Sequence, residues 1–245
     1  MWKYLFEIGD ILSSLIPVKK WRDYMRIHVL FDYRRKFNAL KSRYKNIHFY
    51  NMRLTKGGGS IVFIINNKTT FKVRKYNFEA TNFERFDREK MITDAMKPLR
   101  KQTKIDFPKI EFITIGEYTF YKTNFIPGKL LINIPSRKII RNLDKISEQL
   151  ADFIYKKSLL DPTELKEMRG KKQNGFSWIH SDMCSNILVN PKTMDITGII
   201  DWEWSRYDST EKEFWGLVRV RKKMQKIGIN KTTELAYKKI LSKNK

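Results

Sequence analysis

Ile179-His180-Ser181-Asp182-Met183-Cys184-Ser185-Asn186-Ile187-Leu188-Val189-Asn190, followed by Gly198-Ile199-Ile200-Asp201-Trp202-Glu203-Trp204, is the most informative stretch of this chain. It holds two apolar runs, Ile187-Leu188-Val189 and Gly198-Ile199-Ile200. A loop carrying His180, Asp182 and Asn186 precedes the first run, and the second run ends in Asp201. His180 is expected to brace the loop rather than react. Cys184 has no base arranged to activate it and is assigned to packing. Trp202 and Trp204 are expected to fill space beneath Asp201 or to line an entrance beside it.

N-terminal to this stretch, Leu143, Ile146, Leu150 and Phe153 recur at helical spacing, so the chain after Ile126-Pro127-Gly128 is expected to be mainly helical. Before Ile126 the pattern is different. Ile47-His48-Phe49-Tyr50, Ser60 to Ile65, Thr69 to Val73, Ile110 to Ile115 and Tyr118 to Lys122 are β-branched and aromatic and predict strands. Asn66-Asn67 and Gly116-Glu117 supply turns, and a helix is predicted over residues 81 to 97, stopped by Pro98. No internal repeat or low-complexity linker interrupts the chain. The shifts in pattern divide it into an N-terminal arm (1–45), a sheet-rich lobe (46–125) and a mainly helical lobe (126–245).

In the arm, Leu5, Ile8, Leu12 and Leu15 predict an amphipathic helix over residues 2 to 16, ending before Pro17. Beyond it Lys19, Lys20, Arg22, Arg26, Arg34, Arg35 and Lys36 mingle with Trp21, Tyr24, Phe31 and Tyr33. Two readings stay open. The arm lies on anionic lipid, or its helices pack on the domain and expose a solvated basic face.

Lys and Arg number 50 against 26 Asp and Glu, a net charge of +24. That excess goes beyond what solubility needs and implies an anionic partner: nucleic acid, a membrane surface or a phosphorylated glycan. A hydrophobic fraction of 41% excludes a disordered polyelectrolyte. With Cys184 as the single cysteine, an internal disulfide is impossible and zinc is unsupported. No signal peptide is read, and no run approaches the roughly 18 apolar residues of a membrane span. The expected location is cytoplasmic.

The two quoted segments resemble the catalytic loop and metal-binding segment of the aminoglycoside phosphotransferase and choline kinase superfamily, which shares the protein-kinase fold. The resemblance implies an α+β, bilobal protein-kinase-like fold with a small β-rich N-lobe and a mainly helical C-lobe. It also implies transfer of phosphate from ATP, with Mg²⁺, to a hydroxyl. Asp182 would be the catalytic base, and Asn186 and Asp201 the metal ligands. Leu54-Thr55-Lys56-Gly57-Gly58-Gly59-Ser60 resembles the glycine-rich loop, so Gly57, Gly58, Gly59 and Ser60 are implied to contact phosphates. Lys72 resembles the strand lysine of the nucleotide site, with Arg74 as the alternative and Glu89 as the ion-pair partner. Asn124-Phe125-Ile126-Pro127-Gly128 looks like the hinge, where backbone groups near Asn124 and Ile126 would bind adenine.

One departure stands out. The superfamily places four residues between the loop Asp and the Asn, whereas here Met183, Cys184 and Ser185 make three. Either Asn186 reaches the metal through a tighter turn, or the metal site is altered, or activity is lost.

The arm, including Ile16-Pro17-Val18-Lys19-Lys20-Trp21-Arg22, resembles N-terminal segments of bacterial surface-polysaccharide enzymes, and lipopolysaccharide core heptose kinases are the nearest relatives it suggests. That resemblance implies an anionic glycan or glycolipid acceptor at the cytoplasmic face of a bacterial inner membrane, peripheral membrane contact through residues 1–45, and no nucleic-acid partner. The alternatives are a kinase of a small soluble alcohol, such as choline or an aminoglycoside, and a kinase-fold protein without activity that binds anionic polymer or membrane.

Overall fold

The computed structural model describes residues 11–48, 52–56, 60–74, 83–160, 175–219 and 221–244. The chain divides into two compact units, one formed by residues up to Glu84 with Lys109–Phe125, the other by Arg85–Pro108 with Ile126 onward. The division is not contiguous, because Ile92, Ala95, Met96, Leu99, Ile105 and Phe107 bury themselves in the core of the second unit. Residues 85–108, expected in the sheet-rich lobe, therefore group with the helical one.

In the first unit, the β-branched and aromatic runs form an antiparallel sheet of β1 (Met52–Lys56), β2 (Ser60–Ile65), β3 (Thr69–Arg74), β4 (Glu111–Ile115) and β5 (Tyr118–Asn124), in the order β1-β2-β3-β5-β4. Between β2 and β3, Asn66 and Asn67 take φ values of 52° and 53°. Asparagine tolerates this left-handed backbone better than most residues, and it is the backbone a tight hairpin requires. Ile65 is thereby set opposite Thr69. The strand expected at Ile47-His48-Phe49-Tyr50 is not seen at Ile47. Its N–H donates to Tyr44 O at 3.0 Å, and its side chain is buried as part of the core. Phe49 and Tyr50 lie outside the described residues.

Two arm helices, α1 (Lys19–His28) and α2 (Phe31–Arg43), complete this unit. Ile27, Tyr33, Phe37 and Leu40 share one core with Ile61, Phe63, Phe71, Val73 and Phe120 of the sheet. Burial reaches the charged residues too. Lys36 is fully buried, pairs with Asp32 one turn away and sits 5.5 Å over the Tyr118 ring. Lys19 Nζ donates to Leu54 O at 2.8 Å. The arm thus packs on the sheet through one face. Of the helix expected over residues 2 to 16, residues 2–10 lie outside the described set, and 11–14 are helical.

The second unit is built around α5 (Leu143–Ser158) and α8 (Ile229–Lys243), which pack against each other with Tyr155 and Tyr237 in edge contact. It also holds α3 (Phe83–Ala95) from Arg85 on, α4 (Ser136–Ile140), α6 (Glu211–Gly216) and α7 (Lys222–Ile227). Two small antiparallel sheets carry the loops with Asp182, Asn186 and Asp201. One orders β6 (Lys129–Leu130), β8 (Ile187–Val189) and β9 (Ile196–Ile199); the other pairs β7 (Phe176–Ile179) with β10 (Arg206–Ser209). The Asp106 backbone straps β9, its N–H donating to Thr197 O at 3.1 Å and its O accepting from Ile199 N at 2.9 Å. Gly198 permits this approach, since a Cβ there would fall 2.5 Å from Ile126 Cγ2 and 2.8 Å from Asp106 O. No helix among the described residues is long and apolar enough to cross a membrane.

Two substitutions test these packing assignments. Leu40→Ala should cost about 2–5 kcal/mol in denaturant unfolding, the penalty of a core cavity; a near-zero effect would mean that the arm is not part of the core. Gly198→Ala should lower the melting temperature, because the added Cβ would meet, besides the Ile126 side chain, the backbone oxygen of Asp106, which cannot move aside.

Candidate active site

The segment that carries His180, Asp182 and Asn186 begins where β7 ends and is held from below by buried charge. Glu213, on α6, is 1% exposed. Its Oε2 accepts the His180 backbone N–H at 2.8 Å, and its Oε1 pairs with Lys157 of α5 at 3.1 Å. Lys157 also donates to Trp178 O on β7. Burial pushes the Lys157 ammonium below its ordinary pKa, opposed by the Glu213 charge. A buried carboxylate is tolerable only with partners of this kind.

His180 carries the restraint onward. Its Nε2 lies 2.8 Å from Ile200 O, which joins the loop to the end of β9. The ring packs 4.6 Å from that of Trp202, itself fully buried against Phe153. Burial lowers the His180 pKa, so the neutral ring is the folded form. His180 is placed as the brace that the sequence suggested, and Trp202 as the filler. Cys184 is buried and its thiol is pushed up to about 11, which suits packing and not nucleophilic chemistry.

The short loop closes as a single 3-10 turn over Met183–Ser185, capped by Asn186 N donating to Met183 O at 2.9 Å. Asn186 Nδ2 donates to Asp182 O at 2.8 Å, and Asn186 O accepts from Ile200 N at 3.1 Å. The amide nitrogen is committed to the loop, which leaves the amide oxygen as the atom able to ligate. Three intervening residues therefore suffice to bring Asn186 back to Asp182 and to tie it to the strand leading into Asp201.

Asp201 adopts the left-handed backbone (φ 66°, ψ 60°), a conformation that aspartate tolerates. Ser181 does the same at φ 68°, at a cost of about 1 kcal/mol relative to glycine. Backbone strain of this kind collects at functional sites. One carboxylate oxygen from each of Glu89, Asp201 and Glu203 lies within 4.8 Å of the other two. Such a set of hard oxygen donors fits a divalent cation of the Mg²⁺ type.

The remaining expected residues fall as follows. Glu89 Oε1 accepts the Trp202 backbone N–H at 3.1 Å, which places Glu89 at the Asp201 segment, a position its helix spacing did not suggest. Lys72 stands in the middle of β3 opposite Val62 and Tyr121, and Ser60 opens β2 opposite Arg74; both belong to the first unit. Gly57, Gly58 and Gly59 lie outside the described residues. Asn124 ends β5, and its side-chain Oδ1 accepts Lys109 N–H at 2.8 Å. Ile126 is buried. Sequence reasoning passed over Lys157, and weighed Glu203 and Glu213 only as acidic groups after Asp201 that a cationic acceptor could use, not as the groups that build the site. Only their acidic or basic character marked them, and this chain is rich in both.

Removing Glu213 should leave the Lys157 charge buried and the His180 N–H without its acceptor. Glu213→Ala is expected to destabilise by about 3–5 kcal/mol, with Lys157→Met in that background recovering part of the loss. His180 gives a pH signature as well. The unfolded residue takes up a proton near pH 6.5 while the folded one resists it, so the unfolded chain binds more protons and stability should fall as pH drops below about 6.5. A His180→Gln variant that kept the same acid limb in a stability titration would count against this assignment.

Neither a protein-family model nor a curated protein sequence matches the chain. Solved structures do match. An aminoglycoside phosphotransferase, APH(2"), in its GDP and kanamycin complex superposes with a TM-score of 0.61 at 11% identity, covering 83% of this chain and 82% of the other. A macrolide 2'-phosphotransferase from Brachybacterium faecium gives 0.58 at 11% identity, with 83% and 82% covered. A microcompartment-associated aminopropanol kinase gives 0.54 at 9% identity, with 83% and 80% covered. At this level of identity the likeness is one of fold, and by that measure the chain has the bilobal protein-kinase-like fold of the aminoglycoside phosphotransferase and choline kinase-like proteins.

Proposed function

We propose that this protein is an ATP- and Mg²⁺-dependent phosphotransferase acting on a hydroxyl of a lipopolysaccharide core sugar or related surface glycan at the cytoplasmic membrane face. The observation that carries the enzymatic part is the Asp201 carboxylate cluster joined, through Ile200 and Asn186, to a braced loop that presents Asp182. Similarity in fold to solved phosphotransferases bound to GDP, ADP or ATP supports it.

In this reading Asp182 orients the acceptor hydroxyl and accepts its proton as the oxygen bonds to the terminal phosphorus of ATP and the bond to ADP breaks. Asn186 and Asp201 are the metal ligands, with Glu89 and Glu203 in the same acidic cluster. Bound Mg²⁺ would neutralise charge on the phosphates. Gly57, Gly58, Gly59, Ser60 and Lys72 are assigned to the nucleotide phosphates, and backbone groups near Asn124 and Ile126 to adenine. For Asn124 the backbone is the apt part, since its side-chain oxygen already accepts from Lys109 N–H.

The membrane part rests on the arm's outward face. Leu12, Leu15, Trp21, Val29 and Phe31 are each at least 57% exposed, with Lys19, Lys20, Arg34 and Arg35 exposed among them. Apolar side chains interleaved with cations match an anionic lipid surface. A second reading, a kinase of a small soluble alcohol, is favoured by the likeness to the aminopropanol kinase and aminoglycoside phosphotransferase structures. The net charge of +24 argues against a cationic acceptor.

Mg·ATP should raise the melting temperature of the wild type, and Asp201→Ala should weaken that rise. Asp182→Asn should keep nucleotide binding while lowering turnover by about 10²–10⁴-fold. No response to millimolar Mg·ATP would remove the kinase reading. For the arm, sedimentation with phosphatidylglycerol vesicles should fall sharply in Trp21→Ala/Phe31→Ala and at high salt. Equal binding to neutral vesicles, or none to anionic ones, would remove the membrane placement.

A further inference from the structure

A cavity of about 550 Å³ opens in the second unit beside the catalytic loop, with Ser181, Arg206, Lys212, Trp215, Arg219 and Gln225 on its walls. Three of these six are cations, and the acid that faces them is Asp208. It pairs with both Arg206, at 3.0 Å, and Lys212, at 2.8 Å, and the two cations hold its carboxyl below the usual range against the effect of its burial. One carboxylate shared by two cations orients both and leaves the wall with a positive surplus. Arg219 Nη1 reaches Ser181 O at 3.4 Å, which places its guanidinium next to the residue that precedes Asp182.

Two further features point to a ligand. Trp215 is 70% exposed, although it lies on a helix whose neighbours Phe214 and Gly216 are buried. An indole left open on a cavity wall is a platform for a ring that carries both C–H and O–H groups. Ser181 is 5% exposed, and its Oγ has no hydrogen-bond partner among the described residues. It also holds a left-handed backbone that glycine would adopt more easily. A buried hydroxyl without a partner, kept at a strained position on the cavity wall, is a hydrogen-bonding group awaiting one.

We propose that this cavity is the acceptor subsite and that it takes a polyhydroxylated ring bearing an anionic group, phosphate or carboxylate, near the hydroxyl to be modified. The proposal rests on the phosphotransferase reading and narrows its substrate class. Trp215 supports the ring, Lys212 and Arg219 hold the anion, and Ser181 Oγ bonds a ring hydroxyl beside Asp182. A cationic amino sugar would meet like charge on the same wall.

The test is a calorimetric titration of mannose 6-phosphate, galacturonic acid and mannose into the full chain, without nucleotide, alongside the Mg·ATP stability measurement. The anionic sugars should bind saturably and about tenfold or more tightly than mannose, with an affinity that falls as salt rises. Lys212→Glu should abolish that preference and Lys212→Arg should retain it. Trp215→Ala should weaken anionic and neutral sugars alike. Both positions are exposed, so folding should survive either change, and the melting temperature of each variant verifies it. Tighter binding of the phosphate or of the carboxylate sugar identifies the natural anion. Equal affinity for mannose and its phosphate, or a phosphate affinity untouched by Lys212→Glu, would overturn the subsite. If the subsite fails while Mg·ATP still stabilises the protein, the phosphotransferase reading stands; if nucleotide binding fails while sugar phosphate binds, the cavity stands and the phosphotransferase reading falls.

Discussion

The buried carboxylate of Glu213 is the constraint on which the candidate active site depends. A carboxyl group at this depth must be matched by donors, and it finds them in Lys157 from α5 and the His180 N–H at the end of β7. Three elements distant in sequence are thereby held at one point. From there His180 transmits the restraint to Ile200 O, and Asn186 bonds both the loop and the strand that leads to Asp201. The backbone that carries Asp182, Asn186 and Asp201 is thereby held in place. A hydrophobic replacement of this network could be as stable. It would not supply directional bonds to the His180 amide, and such bonds suit a loop that must present one carboxylate in one orientation.

Charge is used in two distinct ways in this molecule. In the arm, cations such as Lys36 are buried against Asp32 and Tyr118 and contribute to the core of the first unit, while Lys19 ties α1 to β1 through Leu54 O. On the other face of the same helices the cations are exposed beside large apolar side chains. The two readings of the arm are therefore not exclusive: an amphipathic helix pair can pack on its sheet through one face and present the other. In the second unit, Arg206, Lys212 and Arg219 line one cavity. A surplus of +24 becomes informative about partners only when its distribution is known.

Much of the architecture was legible from local pattern. The alternation of β-branched and aromatic residues located β2 to β5, Asn66-Asn67 marked a turn whose backbone is left-handed at both residues, and the spacing of Leu143, Ile146, Leu150 and Phe153 located α5. Local pattern failed where burial arises differently. Ile47 belongs to an apolar run and is buried, yet it fills the core from a turn after α2 and not from a strand. Residues 85–108 follow the sheet-rich segment in sequence but bury their apolar side chains in the other unit, a choice that no periodicity encodes.

The sequence by itself determined β2 to β5, α3 and α5, the loop with Asp182 and Asn186, the apolar run leading to Asp201 and the basic surplus, because each is a matter of residue type and near-neighbour spacing. Tertiary structure decided which distant groups meet. Glu89 comes to the Trp202 N–H across 113 positions, Lys157 to Glu213 across 56, and Arg219 to Ser181 across 38. Charged residues are so frequent in this chain that no single one signals its partner. Only the folded backbone, by excluding water around Glu213 and collecting cations around one cavity, turns ordinary lysines, arginines and glutamates into parts of a site.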